Sequence, residues 1–266
     1  MKSIKLKKSL KYILPLKTND LIRFGNRNDS GYVISKKAMN KVNFMLSFGM
    51  SNNWSFEENF LKVNLKNRVQ IYDHTVGYKY FFYNFLKSIK RIFYFRSNIK
   101  NVFEKYNDLI GYHRITNDKR IEHLQIKVSN KNIKREANLK KIFNKIKGKK
   151  ILLSIDIEGD EYKIIKNLNR YSELIHLLII EFHYLNKKKS SFKKIINDLK
   201  KKFEIIHIHG NNYTSYCTDG MPVTLEMTFR NKKIYPIKKK KYIKNFPIKH
   251  LDYPNYKNHK DLKFHY

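Results

Sequence analysis

Four carboxylates, Asp156, Glu158, Asp160 and Glu161, lie within six residues directly behind the apolar stretch "LLSI" (152–155). The surrounding chain is poor in acid, with 22 acidic residues against 57 basic ones. Carboxylates gathered at a strand end can take a proton from a reacting hydroxyl, hold a divalent cation, or simply solvate a turn. Other strand ends offer partners for such chemistry. His183 follows "HLLIIEF", His207 and His209 alternate in "FEIIHIH", and Asp73 closes "RVQIYD". One carboxylate and two imidazoles can act as general base or bind a divalent metal, which makes Asp156, His183 and His209 the candidate ligands. His207 and His209 share a face of their strand, and the one nearer the rim is placed to join Asp156.

Gly49 and Asp73 suggest a second subsite. A glycine after "NFMLSF" lets the backbone turn tightly and a ligand approach closely. An acid closing the next strand can accept hydrogen bonds from ribose hydroxyls. There is a single glycine and no G-x-G-x-x-G, so this is no dinucleotide fingerprint. Asp160 and Glu161 enter the following helix, where acids favour the amino terminus, and their expected role is structural.

The elements that must position these residues show in the hydropathy pattern. Strand-length apolar runs occupy 43–49, 68–73, 123–129, 150–157, 176–182, 203–209 and 223–229. The fourth and fifth are continuous rather than alternating, which predicts a sheet covered on both faces. Leu139, Ile142, Phe143 and Ile146 follow helical spacing, as do Phe192, Ile195, Ile196 and Leu199 behind a serine cap. Strands alternating with helices predict an α/β parallel sheet. The loop "GNNYTSYCTDGMP" has no helical period, so the last two runs should pair antiparallel. Ligands of such sheets bind beyond the carboxyl ends of the strands, where all the residues singled out above fall. Residues 78–110 lengthen one connection, and their aromatics and lysines predict one or two helices forming a cap. Such a cap could cover the core, close over an acceptor or lie on a membrane surface. Residues 231–266 form a basic tail, expected to wrap irregularly or hang loose.

Composition narrows the classes. The chain has 266 residues, 41% of them hydrophobic, which excludes general disorder. A formal charge of +35 invites acidic partners. With 47 lysines and 10 arginines, that charge suits diffuse attraction better than bidentate phosphate recognition. Cys217 is the only cysteine, so an intrachain disulfide and a cysteine-rich zinc site are excluded. No apolar run approaches the roughly 18 residues of a membrane span. The basic first segment lacks the apolar core of a signal peptide. The expected location is cytoplasmic, with peripheral contact at the inner face of the membrane.

The stretch "SIDIEGDEY", with "MLSFGMSNNWSFEENF" and "VQIYDHTV" before it, resembles the FkbM-type family of S-adenosylmethionine-dependent methyltransferases. "RFGNRNDSGYVI", "EFHYL" and "HIHGNN" extend the resemblance over about residues 20–230. It implies an α/β, Rossmann-like seven-stranded methyltransferase sheet, mostly parallel with an antiparallel last strand. That sheet would form a single domain, with the helical cap inserted at about 78–110. It also implies S-adenosylmethionine as cofactor, held near Ser47, Gly49, Asp73 and His74. Ser47 stands where many methyltransferases carry an acid. Asp156, Glu158 and His183 are then the expected catalytic residues. The expected reaction is O-methylation of a hydroxyl on a glycan, lipid-linked sugar or small metabolite. Charge motivates a rival reading as a nucleic-acid binder or RNA methyltransferase, and "DIEGD" another as a metal-dependent glycosyltransferase. Expected partners are a small-molecule or glycan acceptor and an anionic membrane or acidic glycan, with nucleic acid ranked behind them.

Overall fold

Continuous apolar runs become central strands because each of their faces meets a separate hydrophobic layer. The computed structural model describes residues 3–96, 98–146, 148–237 and 240–266. Ser97 of the inserted segment and Lys238 and Lys239 of the basic tail lie outside the described residues. A hairpin, β1 (Leu21–Gly25) and β2 (Gly31–Ser35), precedes the main sheet. The sheet consists of β3 (Phe44–Phe48), β4 (Arg68–Tyr72), β5 (Ile121–Leu124), β6 (Ile151–Ile155), β7 (Ile175–Phe182), β8 (Phe203–Gly210) and β9 (Leu225–Asn231). Their spatial order is β8-β9-β7-β6-β3-β4-β5. All neighbours are parallel except β9, which runs antiparallel to both β7 and β8. This is the expected Rossmann-like, seven-stranded architecture.

Side-chain alternation divides the core in two. Phe44, Leu46, Phe48, Ile151, Leu153 and Ile155 join one layer, and Met45, Val69, Ile71, Leu152, Leu177 and Ile179 the other. The first layer is covered by α4 (Leu139–Asn144), α5 (Glu161–Ile164) and α6 (Leu185–Leu199), which contribute Ile142, Phe143, Ile164, Phe192 and Ile196. The second is covered by α1 (Ser55–Val63) and by a helical hairpin, α2 (Tyr78–Phe93) and α3 (Ile99–Asn117).

Three boundaries differ from expectation. The third strand was expected over 123–129 but ends at Leu124, because its partner β4 ends at Tyr72, opposite Leu124. Lys127–Val128 pairs instead with Glu136–Ala137. Helical turns already begin at Leu185, and a kink at Lys188 (φ −113°, ψ 16°) separates them from the remainder of α6, whose first turn holds Ser190 and Ser191. The preceding Tyr184 takes a left-handed conformation, and the Leu185 amide donates to the Val223 carbonyl. Finally, none of the described residues of the inserted segment lines the main cleft. Phe81, Leu109, Tyr112 and Ile115 bury its base against the second core layer instead.

The tail wraps rather than hangs. Asn245–Phe246 and Phe264–His265 pair with each other, and the latter pairs with Ile4–Lys5. Cys217 is free and buried. No helix among the described residues is long and apolar enough to cross a membrane.

Candidate functional site

A cleft of about 390 Å³ opens beyond the carboxyl ends of β3, β4 and β6. Of the residues singled out in the sequence, Ser47, Gly49, Asp73, His74, Asp156, Glu158 and Asp160 line it.

Gly49 shapes the floor. Its φ is +88°, and a Cβ there would sit 1.8 Å from the Asp156 carbonyl oxygen. The ladder continues around this contact, with the Asp156 amide donating to the Phe48 carbonyl at 2.8 Å and the Gly49 amide to the Tyr72 carbonyl at 3.0 Å. Only glycine joins the two strand ends this closely. Gly49→Ala is therefore expected to cost about 3 kcal/mol or more of unfolding free energy. Denaturant titration measures this, and an unshifted midpoint would show that the strand ends separate freely.

Ser47 Oγ donates to Glu57 Oε1 at 2.7 Å. Glu57 projects from the inward face of α1 beside Phe56, Phe60 and Leu61. Burial pushes its carboxyl up to about 7, against the lowering effect of the Ser47 hydrogen bond. The helix thus supplies the acid that the strand lacks at Ser47.

Asp73 braces the loop after β3. Its Oδ2 accepts from the Met50 and Ser51 amides at 2.9 and 3.1 Å. Its Oδ1 accepts from the Thr75 amide at 2.8 Å and the Thr75 hydroxyl at 2.6 Å. Burial opposes its charge, but these donors outweigh burial and hold the carboxyl below its usual range. A ribose hydroxyl would therefore have to share a carboxylate already serving four protein donors. His74 is exposed at the same rim.

The opposite end of the cleft is acidic. Although part of the Asp156 side chain faces the cleft, its Oδ1 is enclosed and accepts no hydrogen bond. Burial, reinforced by Glu158 and opposed by His183, pushes this carboxyl up to about 7. His183 Nε2 lies 3.7 Å from Asp156 Oδ1, 3.5 Å from Glu158 Oε2 and 3.8 Å from Glu181 Oε1. Burial disfavours an imidazolium here, but Glu161, Asp156 and Glu158 together raise the His183 pKa. Glu158 takes a left-handed φ of +51°, uncommon for a residue with a side chain and frequent at functional turns. Asp156, Glu158 and His183 bring one ligand atom each within 4.8 Å of one another, a spacing that suits a divalent cation.

Glu161 and Asp160 do different work. Glu161 is fully buried, and its carboxylate accepts from the Gly159 amide at 2.7 Å and the His183 amide at 2.8 Å. It ties the turn after β6 to the end of β7, a firmer structural role than helix-end electrostatics alone. Asp160 pairs with Lys127 at 2.7 Å and Lys163 at 2.5 Å, and these lysines lower its pKa.

The structure does not bring His209 to this group. Its Nδ1 faces Glu226 Oε2 and its Nε2 faces Asp261, both at 3.1 Å. His207 shares that layer and pairs with Asp252 at 2.9 Å. Both imidazoles therefore anchor the tail, whose acids the sequence pattern left unplaced. Behind His183, Glu181 on β7 stands opposite Glu226 on β9. Burial, then the charges of Asp156 and Glu226, raises the Glu181 pKa well above normal, while Asn211 donates to it at 2.7 Å.

Sequence reasoning missed Glu57, which lines the cleft, and the buried Glu181 and Glu226 behind it. Glu57 was detectable, because it shares 0, 3, 4 spacing with Phe60 and Leu61 and so faces inward. Glu181 and Glu226 interrupt apolar strands, a weaker signal that needs the register to pair them.

No family model matches the chain, and no curated protein matches it. Solved structures similar to it include the Methanococcus jannaschii fibrillarin pre-rRNA processing protein, at 8% identity over 73% of this chain and 68% of that one, TM-score 0.40. Others are precorrin-6y C5,15-methyltransferase from Geobacter metallireducens, at 9% identity over 74% and 87%, TM-score 0.36, and a methyltransferase from Geobacter sulfurreducens, at 13% identity over 73% and 74%, TM-score 0.33. Likeness at this distance transfers no residue role, so function rests on the site itself.

Proposed function

We propose that the chain is an S-adenosylmethionine-dependent O-methyltransferase, in the manner of the FkbM-type family it resembles. Its acceptor is a hydroxyl on a glycan, lipid-linked sugar or small metabolite. One observation carries the reading: a single cleft joins the Gly49–Asp73 loops to an enclosed, unpartnered Asp156 carboxylate oxygen.

The residues present fit the cofactor. The cleft has the size of a small-molecule site, and it combines apolar walls at Met50, Phe56 and Val128 with polar loops. The buried Glu57–Ser47 pair suits an ammonium group, and Ser47, Gly49, Asp73 and His74 would hold the remainder. When bound, the sulfonium supplies an electrophilic methyl group. The protein must align the acceptor oxygen with it and take up the hydroxyl proton. His183 is the candidate base, oriented through its backbone by Glu161. Asp156 orients the acceptor, or joins Glu158 and His183 in holding a divalent cation that acidifies the hydroxyl.

The acidic end also bears on the rivals. Asp156, Glu158 and Glu181 lie 3.5 to 3.8 Å from His183 Nε2. Their grouping around His183 favours the metal-dependent glycosyltransferase as second reading. Calorimetry separates the two. Saturable binding of S-adenosylmethionine is the expected result. No such binding, with turnover of a nucleotide-sugar in the presence of a divalent cation, would transfer the proposal to the second reading.

A further inference from the structure

Exposed apolar surface is concentrated on the α2–α3 hairpin. Twelve of the eighteen large hydrophobic residues found exposed lie between Tyr78 and Ile110. On α2, Tyr78, Phe82, Leu86 and Phe93 recur at helical spacing, and all are exposed. On α3, Ile99, Phe103, Tyr106 and Ile110 do the same. Phe95, in the turn between the helices, is 98% exposed.

This surface is not spare core. The hairpin already buries its inner face: Phe81 stacks on Tyr112 at 4.7 Å and meets Trp54 at 6.0 Å. Gly111 lies so close to Trp54 that a Cβ there would sit 2.6 Å from the indole. The base is fixed, and the outer stripes face away from it.

Charge decides among occupants. From Tyr78 to Ile110 the chain carries seven lysines and arginines, Lys79, Lys87, Lys90, Arg91, Arg96, Lys100 and Lys105, against two acids, Glu104 and Asp108, and neither acid lies before Lys100. A second copy of this chain would bring like charges together across the contact. Single-stranded RNA would use the cations and aromatic faces but gains nothing from Leu86, Ile99 and Ile110. An anionic bilayer uses all three kinds: cations at headgroup level, aromatic rings in the interface and aliphatics in the acyl boundary.

We infer that the α2–α3 hairpin docks this protein on the surface of an anionic membrane. The inference is independent of the reaction.

Sedimentation of the full-length protein with vesicles tests it, comparing phosphatidylcholine alone with a mixture of phosphatidylcholine and phosphatidylglycerol. Partition onto the mixed vesicles should be about tenfold stronger or more, and should weaken as salt is added. The double change Phe93→Ser with Phe95→Ser should reduce it by about tenfold or more. Both side chains are mostly exposed, at 78% and 98%, so the melting temperature should not move. Charge reversal at Lys193 and Lys194 on α6, outside the hairpin, should have a much smaller effect. Equal binding to neutral vesicles, or a double variant that binds like the parent, would overturn the inference. So would a double variant that keeps vesicle binding but loses binding to an RNA homopolymer or loses self-association.

Discussion

Asp156→Asn and His183→Ala are each expected to slow methyl transfer by about 10²-fold or more, the usual scale for a positioned acid–base group. Asp160→Asn should change the rate little. All three residues lie close together in the chain or the fold, so the contrast rests on geometry. Asp156 Oδ1 is enclosed, unpartnered and 3.7 Å from His183 Nε2. Asp160 is already satisfied by Lys127 and Lys163, and partly exposed ion pairs of this kind are worth about 0–1 kcal/mol. The pH profile adds a second test. Burial lifts Asp156 to about 7, and the surrounding acids raise His183. The two groups titrate as a unit, and the competent form is the deprotonated one. The rate should therefore climb between about pH 6 and pH 8 rather than fall. A crippled Asp160→Asn enzyme beside an active Asp156→Asn enzyme would reverse the assignment. A flat profile across that range would remove the pair from proton transfer.

Asp73→Ala should weaken S-adenosylmethionine binding by about 1.5–3 kcal/mol, the scale of a lost charge-assisted hydrogen bond. The structure adds a consequence for the free protein. Removing the carboxylate strands the Met50 and Ser51 amides, which it now accepts, and releases Thr75. Unfolding free energy should fall as well, by about 2–4 kcal/mol. Calorimetry and a denaturant titration on the same variant check both effects. Unchanged affinity would refute the cofactor role, and unchanged stability would refute the bracing role. Asp73→Asn should recover part of the stability, since an amide oxygen can still accept from the Met50 and Ser51 amides.

Local periodicity made most of the fold legible. Six of the seven runs lie within two residues of a strand at both ends, and the antiparallel pair follows from a loop without helical period. Strand β5 was misplaced because the length of β4, rather than hydropathy, decides where pairing stops. The candidate cleft was legible in its strand-end residues Gly49, Asp73 and Asp156, which line it, with His183 beside Asp156. It was illegible where long-range pairing decides the role. Nothing local distinguishes His209 from His183, yet one is engaged by Glu226 and Asp261 and the other faces the cleft acids. In the same way, Glu161 looks like an ordinary helix-entry acid until its partner, the His183 amide, is known.

The position of β9 has a consequence for the order in which the molecule can assemble. Within the sheet, β8 touches only β9, and β9 separates it from β7. A growing chain therefore completes β8, with seven of its eight residues destined for burial, before the strand that receives it exists. Until residue 231 has emerged, both β7 and β8 present unpaired edges, the condition under which partly made chains associate wrongly. Fragments ending near residue 210 should aggregate. Closure should also be slow, because β9 must insert between two strands already made rather than add to an outer edge.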